Sequence, residues 1–207
     1  MYALLAVTIS AQNETGLTSK GIHIGMNLSY LTDYGNTEAR VLKPGFCGGL
    51  YLTYNLTEKF AIQPEILYFM KGSKNDFDDD SEGMDTKWNL SYLEIPILFK
   101  ITQPLNEKTN VNFLAGPTVS FLLSAKIESD WDEIDGYDLK DDLEATDFGI
   151  TLGMGIDHTF SSMVVSFDAR FTLGLMDILT GPKDGYGIFT NRQSTNNNIY
   201  FLLGLGF

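Results

Sequence analysis

Apolar residues recur at every second position along successive stretches from Gly21 to the last residue, and this period limits the possible folds more than any other feature of the chain. Successive side chains of an extended backbone point to opposite sides, so the pattern predicts strands with two unlike faces. Ile22, Ile24, Met26, Leu28 and Tyr30 share one parity, and His23, Gly25, Asn27 and Ser29 the other. Phe46, Leu50, Leu52 and Tyr54 likewise oppose Cys47, Gly49, Tyr51 and Thr53, while Ile62, Ile66 and Tyr68 oppose Gln63, Glu65 and Lys71. Further runs at Asn89 to Ile101, Val111 to Ala125, Asp147 to Phe160, Met163 to Leu175 and Asn197 to Phe207 bring the predicted strands to eight. Several exceed ten residues, which suits tilted strands crossing a bilayer.

The connections alternate in length. "NLTEKF", "TQPLNEKTN" and "HTFSS" are short or moderate, whereas the segments near 31–43, 72–87, 127–146 and 176–196 are long and polar. Short turns on one rim and long loops on the other match the outer-membrane arrangement. The expected fold is therefore all-β: an eight-stranded antiparallel up-and-down transmembrane β-barrel over residues 20–207, with four long extracellular loops and short periplasmic turns. Residues 1–12, "MYALLAVTISAQ", have the apolar run and small-residue end of a secretory signal without its basic leader, and are expected to be a partial signal-peptide remnant. Val7, Thr8 and Ile9 would also suit a first strand.

Which face meets lipid follows from the chemistry of the polar parity. A soluble barrel would carry Lys and Glu there, yet this parity holds Gly25, Gly49, Gly116, Gly149, Gly153, Gly155, Gly174, Gly204 and Gly206 among Asn, Ser and Thr. Small residues fit a crowded interior, and an eight-stranded barrel is just wide enough for its own side chains. The apolar parity should then face hydrocarbon, with Tyr30, Tyr54, Phe60, Tyr68 and Phe121 near strand ends as interfacial aromatics. The last strand ends the same way, with Ile199, Phe201, Leu203, Leu205 and Phe207 on one parity. It is expected to close the sheet against the first strand and to serve as the signal for the outer-membrane assembly machinery.

Several stretches carry a resemblance. "KPGFCGGLYLTYNLTEKFAIQPEILYFMKG", "LSYLEIPILFK", "FLAGPTVSFLLSAK" and "FDARFTLGL" resemble successive hairpins of the PorT-like outer-membrane β-barrel family of Bacteroidetes. The resemblance implies an eight-stranded barrel in the outer membrane of a Gram-negative cell. The namesake of that family serves type IX protein secretion, a role that fold kinship alone does not transfer.

The remaining chemistry is sparse. Glu65, Glu94, Asp168 and Arg170 fall on the inward parity at similar heights, predicting an interior polar network in which carboxylates share one guanidinium. Lys100 belongs nearer the short-turn rim. Asp76, Asp78 and Asp80 imitate the first ligands of a calcium loop, but Ser81 and Lys87 replace the glycine and glutamate it requires, leaving weak divalent binding by the acidic loops as the most they offer. Trp131 and Tyr137 lie among those acids as candidates for a contact patch. His23 and His158 are too far apart in the topology for a zinc pair, and no nucleophile elbow is present. No cofactor is implied. A net charge of -13 argues against nucleic acid, and the single Cys47 excludes an intramolecular disulfide. The expected function is a non-enzymatic envelope scaffold or interaction protein working through its loops. The competing readings are a secretion accessory, a soluble lipocalin-like carrier and a lipid hydrolase built on His23.

Overall fold

The computed structural model describes residues 15–33, 42–75, 86–129, 135–179 and 194–207. Residues 1–12, Asp76, Asp78, Asp80, Ser81 and Trp131 lie outside them, and with them the leader and the calcium-like loop. The strands are β1 (Gly16–Asp33), β2 (Lys43–Asn55), β3 (Phe60–Asn75), β4 (Thr86–Pro104), β5 (Thr109–Ser129), β6 (Thr146–Phe160), β7 (Met163–Gly174) and β8 (Ser194–Gly206). Each pairs antiparallel with its chain neighbour, and β1 also pairs with β8, so the sheet is a closed up-and-down barrel. Closure runs from Gly21 opposite Gly206 to Asp33 opposite Ser194, leaving no unpaired edge to face hydrocarbon.

Several strands are longer than the hydropathy period suggests. β1 begins at Gly16 rather than Gly21, β3 continues to Asn75 and β5 to Ser129. A ladder needs only a partner's backbone, so "GSKN" of β3 stays paired with "TKWN" of β4 although the side chains there no longer alternate in polarity. At 21 residues, β5 far exceeds the roughly 9–11 that cross a bilayer, so its ends stand outside the hydrocarbon. The turns at 56–59, 105–108 and 161–162 form the short rim.

The partition of side chains decides the environment. On β8, Phe201, Leu203 and Leu205 are 42%, 55% and 39% exposed on the outer wall, while Glu65 and Arg170 are each only 2% exposed in the lumen. Outward apolar residues continue around the barrel through Ile24, Phe46, Phe99, Leu152 and Phe167. A soluble lipocalin-like carrier requires the opposite partition, with the apolar face lining the cavity, so the outward apolar wall overturns that expectation.

The interior is less uniformly small and polar than the glycine-rich parity suggests. At the long-loop end Leu31, Leu90, Tyr92, Leu122, Ala125 and Ile127 point inward and bury Leu139, Leu143 and Ile178 from the loops. A register step between Ser91 and Tyr92 on the β4–β5 ladder skips Leu123 and switches the inward parity of β5, so that Ala125 and Ile127 follow Leu122 into the lumen. Backbone bonds tie the returning β5–β6 segment down: Leu139 N donates to Ala125 O (3.0 Å) and Ile127 N to Tyr137 O (3.0 Å). Glu144 N reaches across to Ile178 O (2.8 Å). This strap includes one 3-10 turn, Lys140–Asp142.

Candidate functional site

The lumen below that apolar cap holds the chain's concentrated polar chemistry. β7 supplies Arg170, whose guanidinium makes a two-point fork with Glu65 of β3: Nη1 donates to Oε2 (2.7 Å) and Nη2 to Oε1 (3.0 Å). Nη2 also donates to Asp168 Oδ2, two residues away on the same inward parity (2.8 Å). Gln63 Nε2 donates to Glu65 Oε1 (2.6 Å), and Thr53 Oγ1 donates in turn to Gln63 Oε1 (3.1 Å). A charge this deep is tolerable only where its hydrogen-bonding groups are met, and the fork geometry does that for both carboxylate oxygens of Glu65.

Room for these long side chains comes from glycines on neighbouring strands. A Cβ at Gly153 would stand 2.7 Å from Arg170 Cγ, and one at Gly155 would collide with Asp168 Oδ1. These β6 positions face Arg170 and Asp168 directly in the ladder. The small parity is thus the negative of the charged one.

Glu94 lies in the lumen, but its partners are Lys71 and Ser120 rather than Arg170. Lys71 Nζ is hydrogen-bonded to Glu94 Oε1, to which Ser120 Oγ also donates (3.1 Å). The Lys71 ammonium lies 5.1 Å from the Phe69 ring centre and 5.7 Å from that of Tyr92, joining the ion layer to the apolar cap. The predicted network is therefore two adjoining clusters. Thr118, Thr151 and Thr172 link hydroxyls across β5, β6 and β7 at 2.7 Å each.

Two participants are absent from the predicted set. Lys71 shares the inward parity of Glu65, and a count of its height would have placed it at the top of the ion layer. His23 sits between carboxylates, with Nδ1 3.8 Å from Glu65 Oε2 and Nε2 3.7 Å from Asp168 Oδ2, and stacks on Tyr51 at 4.3 Å. Its inward parity was legible in the sequence, but its pairing across the barrel depends on the closure of β1 onto β8. His158 is at the short-turn rim, 3.0 Å from Thr109 Oγ1. Among the described residues no group of three or more His, Cys, Asp or Glu is placed to hold a metal.

Below His23 the lumen opens into a cavity of about 300 Å³ at the short-turn rim. His23, Tyr51, Ser166 and Asp168 form its inner end, and Lys100 and Asp157, joined at 2.8 Å, line its wall. From rim to loops the interior is therefore an open polar vestibule, a paired ion layer and an apolar cap. The terminal strand lies beside this stack: Ile199, Phe201, Leu203 and Leu205 face outward on β8, and Phe207 exchanges backbone bonds with Lys20 at 3.0 and 3.1 Å.

Solved structures share this architecture. The chain is similar to Neisserial surface protein A, with 9% identity, a TM-score of 0.52 and coverage of 91% of this chain and 97% of that one. It is similar also to the outer membrane protein OprG of Pseudomonas aeruginosa, with 11% identity, a TM-score of 0.51 and coverage of 94% and 96%. At such identities the likeness concerns fold alone. No curated protein matches. The family model described as the outer membrane protein beta-barrel domain matches residues 10–180. With its apolar residues turned outward, its ions paired within and its sheet closed, the chain belongs to the outer membrane protein beta-barrel domain family and is a bacterial outer-membrane protein.

Proposed function

We propose that the protein is a non-enzymatic scaffold of the outer membrane that engages other envelope proteins through its long loops. The observation behind this reading is the obstructed lumen: the ion layer and the apolar cap lie in series between the rims, which argues against a diffusive pore. The β5–β6 strap offers a presenting surface, because Leu139 and Leu143 anchor it while Tyr137, Asp138 and Asp141 stay exposed.

Native extraction and pull-down test the reading, comparing the wild type with a variant carrying Tyr137→Ser, Asp138→Ser and Asp141→Ser. A defined envelope protein should co-purify with the wild type and be depleted with the variant. Recovery of the barrel alone from both would count against it. The narrower PorT-like kinship belongs to the same proposal and is favoured by the ordered elements "QPEILYFMKG" and "YLEIP". The secretion-accessory reading is separate from that kinship: it predicts that a deletion strain loses export of type IX cargo, and normal export would remove it while leaving the kinship standing.

A further inference from the structure

We propose that the vestibule at the short-turn rim is a binding site for a small uncharged polyol of sugar size, entering from the periplasmic side. Four observations carry this.

The space is built into the sequence. Small residues, Ser19, Thr53, Ala61 and Ser166, line the cavity where the rest of the lumen is filled by Arg170, Tyr200, Phe69 and Lys71. Gly204 keeps its inner end open: a Cβ there would stand 2.8 Å from His23 Nε2 and collide with Ser166 Oγ. At about 300 Å³ the cavity meets the lower end of the size range of small-molecule sites.

The cavity also ends blind. The fork of Arg170 with Glu65 and Asp168 closes it from above, so a solute that enters cannot pass through and can only be held.

Its free polar group is a hydroxyl, and a ring with two nitrogens lies beside it. Ser166 Oγ belongs to a side chain more than nine-tenths buried and has no hydrogen-bond partner among the described residues, and beside it the His23 ring stands 3.7–3.8 Å from the Asp168 and Glu65 carboxylates, beyond direct hydrogen-bond reach. Buried groups of this kind are normally satisfied, so each favours a partner carrying donors and acceptors.

Finally, the charges on the inner wall are matched, Lys100 with Asp157 and Asp168 with Arg170, while Glu58 and Lys59 stand exposed at the mouth. An ion moving past the mouth to this inner end would surrender hydration without gaining a free counter-charge, whereas a neutral polyol exchanges water's hydrogen bonds for the protein's.

The test uses the folded barrel in lipid nanodiscs, since glycosidic detergents would compete. Saturation-transfer NMR is recorded with maltose and glucose as neutral probes, and with glycine, glutamate and putrescine as charged ones. Transfer to the sugars should be seen, with intermolecular contacts between sugar protons and the Tyr51 and His23 rings in the wild-type protein. Filling the cavity with Ser166→Leu should weaken sugar binding at least tenfold. Ser19→Leu, nearer the rim, should do the same if Ser166→Leu fails to fold. Three outcomes would each overturn the proposal: no transfer to either sugar, contacts that map elsewhere, or charged probes binding while sugars do not. None of them bears on the loops, so the scaffold reading stands or falls separately.

Discussion

Arg170 is the residue on which the centre of the barrel turns, because three carboxylate oxygens of Glu65 and Asp168 depend on its guanidinium. Replacing it with Met keeps most of the volume but strips two buried carboxylates of their guanidinium, leaving them only Gln63 and the His23 ring nearby. Breaking a buried pair from one side costs about 3–5 kcal/mol, whereas removing both partners together often costs far less. Urea unfolding of the refolded barrel should therefore show Arg170→Met destabilised by about that amount, with Glu65→Leu in the same chain restoring part of the loss. A double variant no more stable than the single one would show that the fork is not the term that matters. Gly155→Ala tests the complementary space. Its methyl group collides with Asp168 Oδ1 and pushes that carboxylate off the guanidinium, for an expected loss of about 1–3 kcal/mol in the same assay. The fork's membership could be read in part from parity and height. Its detail could not, because Glu65 and Arg170 are 105 residues apart and the distance across the lumen is fixed only by closure. Glu94 illustrates the limit: its parity is evident in the sequence, while its choice of Lys71 over Arg170 depends on the β3–β4 register, where Lys71 pairs with Leu90 and Leu67 with Glu94.

At the scale of elements, strands were legible and straps were not. Outer apolar residues of β1 to β8 must meet lipid at every second position, so each strand announces itself wherever it crosses the hydrocarbon. Beyond the bilayer that requirement lapses, which is why the ends of β3, β4 and β5 escape a hydropathy reading although their ladders continue. The strap from 135 to 145 escapes for another reason. It has no period, and only the upturned faces of Leu31, Leu90, Tyr92 and Ile127 explain why Leu139 and Leu143 turn down. Leu139→Asp should free the strap without opening the barrel: limited proteolysis in the 135–145 segment should accelerate while heat-dependent gel mobility is kept. Unchanged cleavage would mean that backbone bonds alone hold it. β8 carries a separate prediction. Phe207 completes the closing ladder through its exchange with Lys20, whose ammonium lies 5.5 Å from the ring centre. Deleting Phe207, or replacing it with Asp, should sharply reduce the outer-membrane yield, measured by membrane fractionation, while Glu58→Ala in an exposed turn leaves it unchanged. Equal yields would remove the terminal strand's assembly role.

For the whole molecule, eight strands fix a width that side chains can fill, and the sequence fills it unevenly from one rim to the other. The polar vestibule wets one end, the apolar cap dries the other, and the paired ions between them exclude a continuous water column. Two seals in series imply a test that single substitutions should not defeat. Leu139→Asp loosens the cap but leaves the ion layer closed, and Arg170→Met disturbs the ions beneath an intact cap. Planar-bilayer recordings should accordingly show no steady conductance for the wild type or either variant, and conductance should emerge only when both changes are combined in a chain that still shows folded gel mobility. A stable open channel in the wild type would contradict the filled lumen itself. Steady current in Leu139→Asp alone would show instead that the ion layer passes water and ions, making the cap the only seal.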